Sequence, residues 1–270
     1  MLSFIKQVVI YYPRMVKSLN IGIIGTGIIA SAMVTGFCKK ETNHKFFLSP
    51  RNAKRAAALA AEFAGVSVCV SNQEVIDNAE WIFICLLKKD FGALGELEFG
   101  CNKKVVNISA DMKLQDLRNT IGETAVLVHV IPLPFIKSGF GPVLVYPENA
   151  EAGELFATVG SVYYAQSQSD VQTLQIVTGL MSAYNMLLNE IVMFSDQQGI
   201  AHDVSVKYLC SLLNALCTRA ADMNDCDLVE LAHEMTPGGY NEQAMRELVD
   251  NGAIKAWRTA LDRLLARMQA

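Results

Sequence analysis

The chain is short of charge. Only 19% of its 270 residues are Asp, Glu, Lys or Arg, and 23 basic against 27 acidic groups leave a formal net charge of −4. This balance lacks the basic footprint of a nucleic-acid binder, and no nucleic-acid partner is expected. There are only four histidines, scattered without metal-ligand spacing, so no metal site is expected. The seven cysteines, Cys38, Cys69, Cys85, Cys101, Cys210, Cys217 and Cys226, are odd in number and form no CxxC pair. Several lie in apolar runs, as Cys85 does after Trp81-Ile82-Phe83-Ile84. They read as reduced, buried thiols of a cytoplasmic protein. No stretch is long and apolar enough to span a bilayer, and no membrane partner is expected. Apolar residues, by contrast, are plentiful: 51% of the chain is hydrophobic, ample material for packed cores and for two domains.

Residues 1–18 read as an extension. Met1 to Ile10 faintly resembles a secretory segment, but Lys6 and Gln7 interrupt its apolar run and no small-residue cleavage site follows. Met15 is the expected true beginning. From Asn20 onward the pattern alternates. Short apolar runs at Asn20–Ile24, Lys45–Leu48, Val66–Val70, Trp81–Leu87, Lys104–Ile108, Ala125–Val130, Val143–Val145 and Val162–Ala165 read as strands. Between them Ala30–Cys38, Ala53–Phe63, Gln73–Asn78, Leu114–Ile121 and Ala150–Val159 read as helices. Such alternation predicts a mostly parallel sheet covered on both faces. After Ser167 no convincing strand follows. Val171–Phe194 reads as one long helix that is apolar nearly all round, which a domain of this size can hardly bury alone, so a subunit interface is expected. Further helices are expected at His202–Met223, Asp227–Glu234, Asn241–Asn251 and Ile254–Met268. The fold class is therefore α/β: a doubly wound sheet over 19–168, followed by an all-helical domain over 169–270 that is expected to form the subunit interface.

The strongest local signal is Gly25-Thr26-Gly27-Ile28-Ile29-Ala30, a GxGxxA turn between the first strand and the first helix. Gly25 permits a tight turn and Gly27 lets the backbone approach a pyrophosphate. Ala30 lets helix and strand pack closely, and the helix N-terminus offers N–H donors to phosphates. This is the fingerprint of a Rossmann-type dinucleotide domain. NAD enzymes usually place an acid after the second strand to hold the ribose 2′-hydroxyl. Here that region reads Ser49-Pro50-Arg51-Asn52-Ala53-Lys54-Arg55, with no acid. Ser49 and Arg51 can hold a 2′-phosphate, so NADP(H) is expected in preference to NAD(H), with NAD(H) possible. A solvated basic turn is the plainer alternative.

A second segment, Met235-Thr236-Pro237-Gly238-Gly239-Tyr240-Asn241, puts a Pro-Gly-Gly turn before a helix. Exposed N–H groups there suit a carboxylate, and an ordinary helix connection is the alternative. With both segments in view, the chain from about Asn20 to its end resembles the pyrroline-5-carboxylate reductases. Gly25, Gly27 and Ala30 match that family's phosphate loop, Ser49 and Arg51 its 2′-phosphate site, and Asn72 an asparagine near the adenosine ribose. Ser109-Ala110 matches small residues lining the cofactor. Thr178-Gly179 and Ala183-Tyr184 match the ends of a motif on the interface helix. Thr236-Pro237-Gly238-Gly239 matches most of the substrate loop. Departures fall in the substrate half. Tyr240 and Asn241 replace two threonines, Leu86-Leu87-Lys88 replaces Val-Lys-Pro, and Ile131-Pro132-Leu133 replaces Met-Pro-Asn.

The resemblance implies hydride transfer from NADPH to a cyclic imine, with pyrroline-5-carboxylate reduced to proline in proline biosynthesis, by a homodimer or higher oligomer joined through the C-terminal helices. It implies cofactor contacts from Gly25, Thr26, Gly27, Ile28, Ile29, Ala30, Ser49, Arg51, Asn72, Leu86, Lys88, Ser109 and Ala110. Substrate contacts would come from Thr236, Gly238, Gly239 and Tyr184, with Thr236, Tyr240 and Asn241 around the reacting imine. Tyr240 reads as a cap on the pocket in preference to a proton donor, and Tyr184 as a core residue in preference to a catalytic one. His129, at the end of the sixth strand, reads as structural. Two other readings are open. A hydroxyacid-type dehydrogenase expects a lysine on a long interdomain helix, yet none occurs between Lys137 and Lys207. A paralogue that binds NADP but takes another imine or carbonyl substrate, or none, would explain the altered loop.

Overall fold

Residues 17–110 and 112–269 are described by the computed structural model. The reading of residues 1–16 as an extension, Met15 included, lies outside them. Contacts divide the chain into two compact units, with the division between Val171 and Gln172.

The first unit is built on one eight-stranded sheet. Its strands are β1 (Asn20–Ile24), β2 (Lys45–Leu48), β3 (Val66–Val68), β4 (Trp81–Ile84), β5 (Lys104–Asn107), β6 (Val126–Pro132), β7 (Pro142–Tyr146) and β8 (Ser161–Tyr164). They lie in the order β3-β2-β1-β4-β5-β6-β7-β8. Neighbours from β3 to β6 are parallel, β7 runs antiparallel to β6, and β8 is again parallel to β7. The order reverses between β1 and β4, and that switch point is where open α/β sheets bind ligands. The unit's helices are α1 (Ile28–Lys39), α2 (Ala53–Glu62), α3 (Asn72–Asn78), α4 (Leu114–Ile121) and α5 (Ala150–Ala157). A doubly covered sheet explains why β4 is apolar at every position. Trp81 and Phe83 point into one core with Phe37 of α1 and Phe156 of α5, while Ile82 and Ile84 point into the other with Leu117 and Ile121 of α4. Phe83 and Phe156 stack with ring centroids 5.5 Å apart, and Phe37 meets Phe156 edge-on at 5.8 Å.

Two expected strands end early. The run Trp81–Leu87 leaves the sheet after Ile84 because its neighbour β1 turns away at Gly25. Only one further bond follows, from the Cys85 N–H to the Ile24 carbonyl at 2.8 Å. Val66–Val70 likewise stops at Val68, where pairing with β2 ends. Conversely β6 runs on to Pro132 because β7 supplies an antiparallel partner, so His129 lies within the strand and not at its end.

The second unit contains α7 (Met181–Gln197), α8 (His202–Asp222), α9 (Leu228–His233), α10 (Tyr240–Asp250) and α11 (Ala253–Gln269), and α6 (Gln168–Thr178) crosses the division. The single long helix expected over Val171–Phe194 is two helices. The Gly179 N–H bonds the Ile176 carbonyl and the Leu180 N–H the Val177 carbonyl, a tighter i→i−3 turn that ends α6. Among the residues of α7 only Val192 is buried. Tyr184, expected in a core, is 55% exposed and leans on Trp257 with centroids 5.0 Å apart. Phe194, Tyr208 and Leu216 are also exposed. A further correction concerns length: Gln168–Gln197, taken across its break, contains an 18-residue window of mean hydropathy 1.3 and is long and apolar enough, by length and composition only, to cross a membrane. The sequence pattern hid this because its few charges and scattered Asn, Gln and Ser interrupt every apolar run.

A tight backbone contact in the first unit sets α1 against the 3₁₀ segment Pro134–Ser138. A Cβ on Gly36 of α1 would lie 2.2 Å from the Ile136 carbonyl oxygen, which is backbone and cannot swing aside. In an exposed helix Gly→Ala stabilises by about 1 kcal/mol. Gly36→Ala is expected to do the opposite, lowering stability by roughly 1–3 kcal/mol, as overpacking does. A thermal or denaturant melt reads the sign, and an unchanged or raised midpoint would show that α1 does not seat on Ile136 this closely.

Candidate functional site

The chain reverses direction at the carboxyl end of β1. Gly25 has φ +97°, a left-handed conformation that favours glycine, and a Cβ there would lie 2.6 Å from the Cys85 carbonyl oxygen and 2.9 Å from Leu86 Cδ2. Gly25 is thus required by the chain's own packing. Gly27 is different. Its backbone is extended at φ −89°, and a Cβ on it would meet no protein atom within 4 Å. Neither conformation nor packing asks for glycine here, so the space above it is left for something else.

That space sits at the N-terminus of α1. No side chain caps this helix and no acid occupies its first turn. By contrast α2, α3, α5 and α9 are capped by Asn52, Ser71, Asn149 and Asp227. Uncapped N–H groups and the positive end of the helix dipole favour an anion. Ile28, at the first position, is 72% exposed, while Ala30 is fully buried against the sheet. The residues present therefore fit a pyrophosphate.

Around this turn the structure places the remaining residues unequally. Ser49, after β2, is buried, and its Oγ accepts the Gly25 N–H at 2.9 Å, while Thr26 Oγ1 donates to the Ser49 carbonyl at 3.3 Å. Ser49 thus holds the turn, and the exposed cation near it is Arg51. Arg51 pairs with Asp90, Nη2 to Oδ1 at 2.9 Å. The linear sequence offers no acid at this place. Asp90 arrives from the 3₁₀ segment Lys88–Glu96, whose Phe91 and Leu94 are buried in the core beside α4. Lys88 starts that segment and is exposed, Leu86 lies against the turn, and half-buried Asn72 opens α3 beyond β3.

After β5, the Ser109-Ala110 segment is held by two buried polar side chains. Asn107 Oδ1 accepts the Ser109 N–H at 3.0 Å, and its Nδ2 donates to the Met112 carbonyl at 2.8 Å. His129 Nε2 donates to the Ser109 carbonyl at 3.0 Å. Asn107 escaped the sequence reading because it looks like the polar end of a strand. Its only signal is a full amide inside a run of valines.

In the second unit the Pro-Gly-Gly turn precedes α10. Gly238 has φ +76°, and Tyr240 is 91% exposed, as Thr236 and Asn241 are exposed. The donors expected to receive a carboxylate are in use. The Gly238 N–H donates to Glu242 Oε2 at 2.6 Å and the Gly239 N–H to the Thr236 carbonyl at 2.9 Å. Arg246 pairs with Glu242 from the next turn. That hydrogen bond to Gly238, then the Arg246 charge, hold the Glu242 carboxyl below its usual range. Tyr184 sits on α7 beside Trp257, apart in sequence from this turn. No cluster of three or more His, Cys, Asp or Glu able to hold a metal occurs among the described residues, and all seven cysteines are free thiols.

The sequence model of the family described as "NADP oxidoreductase coenzyme F420-dependent" matches residues 20–111. No curated protein sequence matches the chain. Among solved structures, a 1-pyrroline-5-carboxylate reductase from Streptococcus pyogenes is similar with a TM-score of 0.80 at 19% identity, covering 93% of this chain and 98% of that one. A pyrroline carboxylate reductase from Plasmodium falciparum, with NADP bound, gives 0.79 at 16% identity over 93% and 97%. A reductive aminase from Aspergillus terreus, in complex with NADPH and ethyl-5-oxohexanoate, gives 0.55 at 16% over 94% and 93%. The fold of this chain is that of the pyrroline-5-carboxylate reductases: a Rossmann-type α/β unit followed by a helical one.

His129 and His44 give the first unit a defined response to acid. His129 Nε2 carries the proton given to Ser109, so its buried Nδ1 is bare and has no hydrogen-bond partner. His44 Nδ1 accepts the Leu19 N–H at 3.1 Å between the rings of Phe37 and Phe46. Burial lowers both from 6.5 to about 4. Between these values the unfolded chain binds more protons than the folded one. Stability is therefore expected to be complete above about pH 6.5 and to fall as the pH drops toward 4, by roughly 2–3 kcal/mol per histidine. Melts of the protein and of His129→Gln across this range check the window, and a flat profile above pH 4 would contradict buried neutral histidines.

Proposed function

We propose that this protein is an NADPH-dependent reductase of cyclic imines. The observation that carries the reading is Gly27, a glycine that neither its backbone angle nor its packing requires, at the uncapped N-terminus of α1 and the switch point of the sheet. The shared fold and the names of the similar structures support a C=N substrate, and Arg51 supports NADPH, with NADH accepted. When bound, the dinucleotide supplies a hydride to the imine carbon. The chain's own part is to position it. Gly25 to Ala30 seat the pyrophosphate, Arg51 meets the adenosine ribose, and Ser109-Ala110, fixed by Asn107 and His129, line the nicotinamide end. Thr236, Tyr240 and Asn241 receive the imine, and no side chain needs to act as a nucleophile.

Pyrroline-5-carboxylate, and with it proline biosynthesis, is the reference substrate on the family resemblance. A second reading is favoured by Glu242, whose carboxylate already occupies the Gly238 N–H. It is a paralogue that takes a different imine or carbonyl compound, or that binds the dinucleotide without turnover. A homodimer joined through the C-terminal helices fits the exposed apolar residues of α7 and α8. A reducing cytoplasm fits the seven free thiols.

Following absorbance of the reduced cofactor with pyrroline-5-carboxylate, NADPH in one cell and NADH in another, tests the reading. Oxidation preferring NADPH supports the reductase, while tight NADPH binding without oxidation supports the paralogue. Gly27→Val is the control for the site. A Cβ there meets no protein atom within 4 Å, so the fold is expected to persist, while dinucleotide affinity falls at least about 100-fold. A Gly27→Val protein that folds and still binds NADPH as before would sink the assignment.

A further inference from the structure

Asp90 is the acid that the end of β2 lacks, delivered from elsewhere in the fold. We propose that the Arg51–Asp90 ion pair is a two-way selector for the adenosine ribose, Arg51 taking a 2′-phosphate and Asp90 taking a 2′-hydroxyl. The inference rests on the dinucleotide reading of the first unit. Dinucleotide folds read the ribose with an acid for the hydroxyl or an arginine for the phosphate. Here both stand together, 2.9 Å apart.

The two partners are not equally held. Asp90 has a side chain only 19% exposed, its N–H donates to the Leu87 carbonyl at 2.8 Å, and buried Phe91 and Leu94 fasten the segment that carries it. Arg51 is 62% exposed. Lys89 lies close enough to favour the Asp90 charge, and Lys54 and Arg55 follow Arg51 on α2. The pair itself holds Asp90 in its ionised form, first through the Arg51 hydrogen bond.

A 2′-phosphate that engages Arg51 must draw the guanidinium away from Asp90 and then sits beside a carboxylate of like charge. A 2′-hydroxyl donates to Asp90 while the ion pair stays closed. Asp90 therefore restrains NADPH and supports NADH, and the natural protein accepts both. Removing its charge while keeping its shape releases Arg51 for phosphate. Removing Arg51 leaves an unpaired carboxylate that repels phosphate and still receives a hydroxyl.

The test is binding alone, so it does not depend on turnover. NADPH and NADH are titrated into the protein, Asp90→Asn and Arg51→Ala, with 2′,5′-ADP and 5′-AMP as probes of the ribose end. Asp90→Asn is expected to tighten NADPH and 2′,5′-ADP by about fivefold and to weaken NADH, and Arg51→Ala to do the reverse by about tenfold, the scale of one charged hydrogen bond. A merely structural Asp90 would shift both nucleotides together, and that result, or no shift in either, overturns the selector while leaving the dinucleotide site intact. If neither nucleotide binds the natural protein, the dinucleotide reading fails and the selector with it.

Discussion

The first unit is organised by how closely the chain passes itself where β1 turns away beside β4. A side chain at Gly25 would overlap the Cys85 carbonyl, so the turn is sharp and β1 ends there. Three consequences follow from that one approach. β4 loses its neighbour and leaves the sheet. Leu86 is pressed against the turn. The Gly25 N–H points sideways to Ser49 Oγ, tying the end of β2 to the end of β1. The helix that starts three residues later is left without a side-chain cap, because Gly27 occupies the capping position and offers none. A backbone constraint inside the protein has thereby produced an opening outside it.

The same constraint explains what the sequence could and could not tell. Strands that are covered on both faces are apolar throughout, so β1, β2 and β4 were visible as runs, and the Gly25–Ala30 spacing placed the turn between a strand and a helix. The ends of β3, β4 and β6 were not visible, because an end is set by the neighbouring strand and that neighbour is a separate stretch of chain. Ser49 and Arg51 looked like equals in the sequence. Only the fold separates them, burying the serine as a brace and leaving the arginine at the surface. Asp90 lies 39 residues beyond Arg51, and nothing local to either marks the pair. Asn107 and His129 are alike in this respect, since each is a lone polar residue until the sheet brings both to Ser109.

In the second unit the helices were legible in the sequence and their surroundings were not. Periodicity locates α8, α10 and α11 within a residue or two, since apolar spacing is a property of the helix itself. The break at Gly179 is not, for a single glycine is tolerated in many helices, and here the i→i−3 bonds at Gly179 and Leu180 make the turn. Periodicity is equally silent about what covers a face. Tyr184, Phe194 and Tyr208 carry the pattern of a core yet stand exposed.

Two carboxylates that the chain supplies to itself stand at the places proposed to receive an anion. Asp90 holds Arg51, and Glu242 holds the Gly238 N–H. In each case an external anion binds by exchange, and the free energy gained is the difference between two similar interactions and not the whole of one. The N-terminus of α1 has no such occupant. An anion arriving there displaces only water from N–H groups that nothing else satisfies. Affinity for a dinucleotide should therefore reside mainly in its pyrophosphate, common to every such cofactor. Discrimination falls to the sites where an internal carboxylate must give way. Exchange sites are also sensitive to charge and shape in a way that an open helix end is not, because the ligand must outcompete a group already well placed. A fold that is widely shared can thus keep its cofactor cradle constant and change what it accepts by moving one carboxylate onto an existing donor.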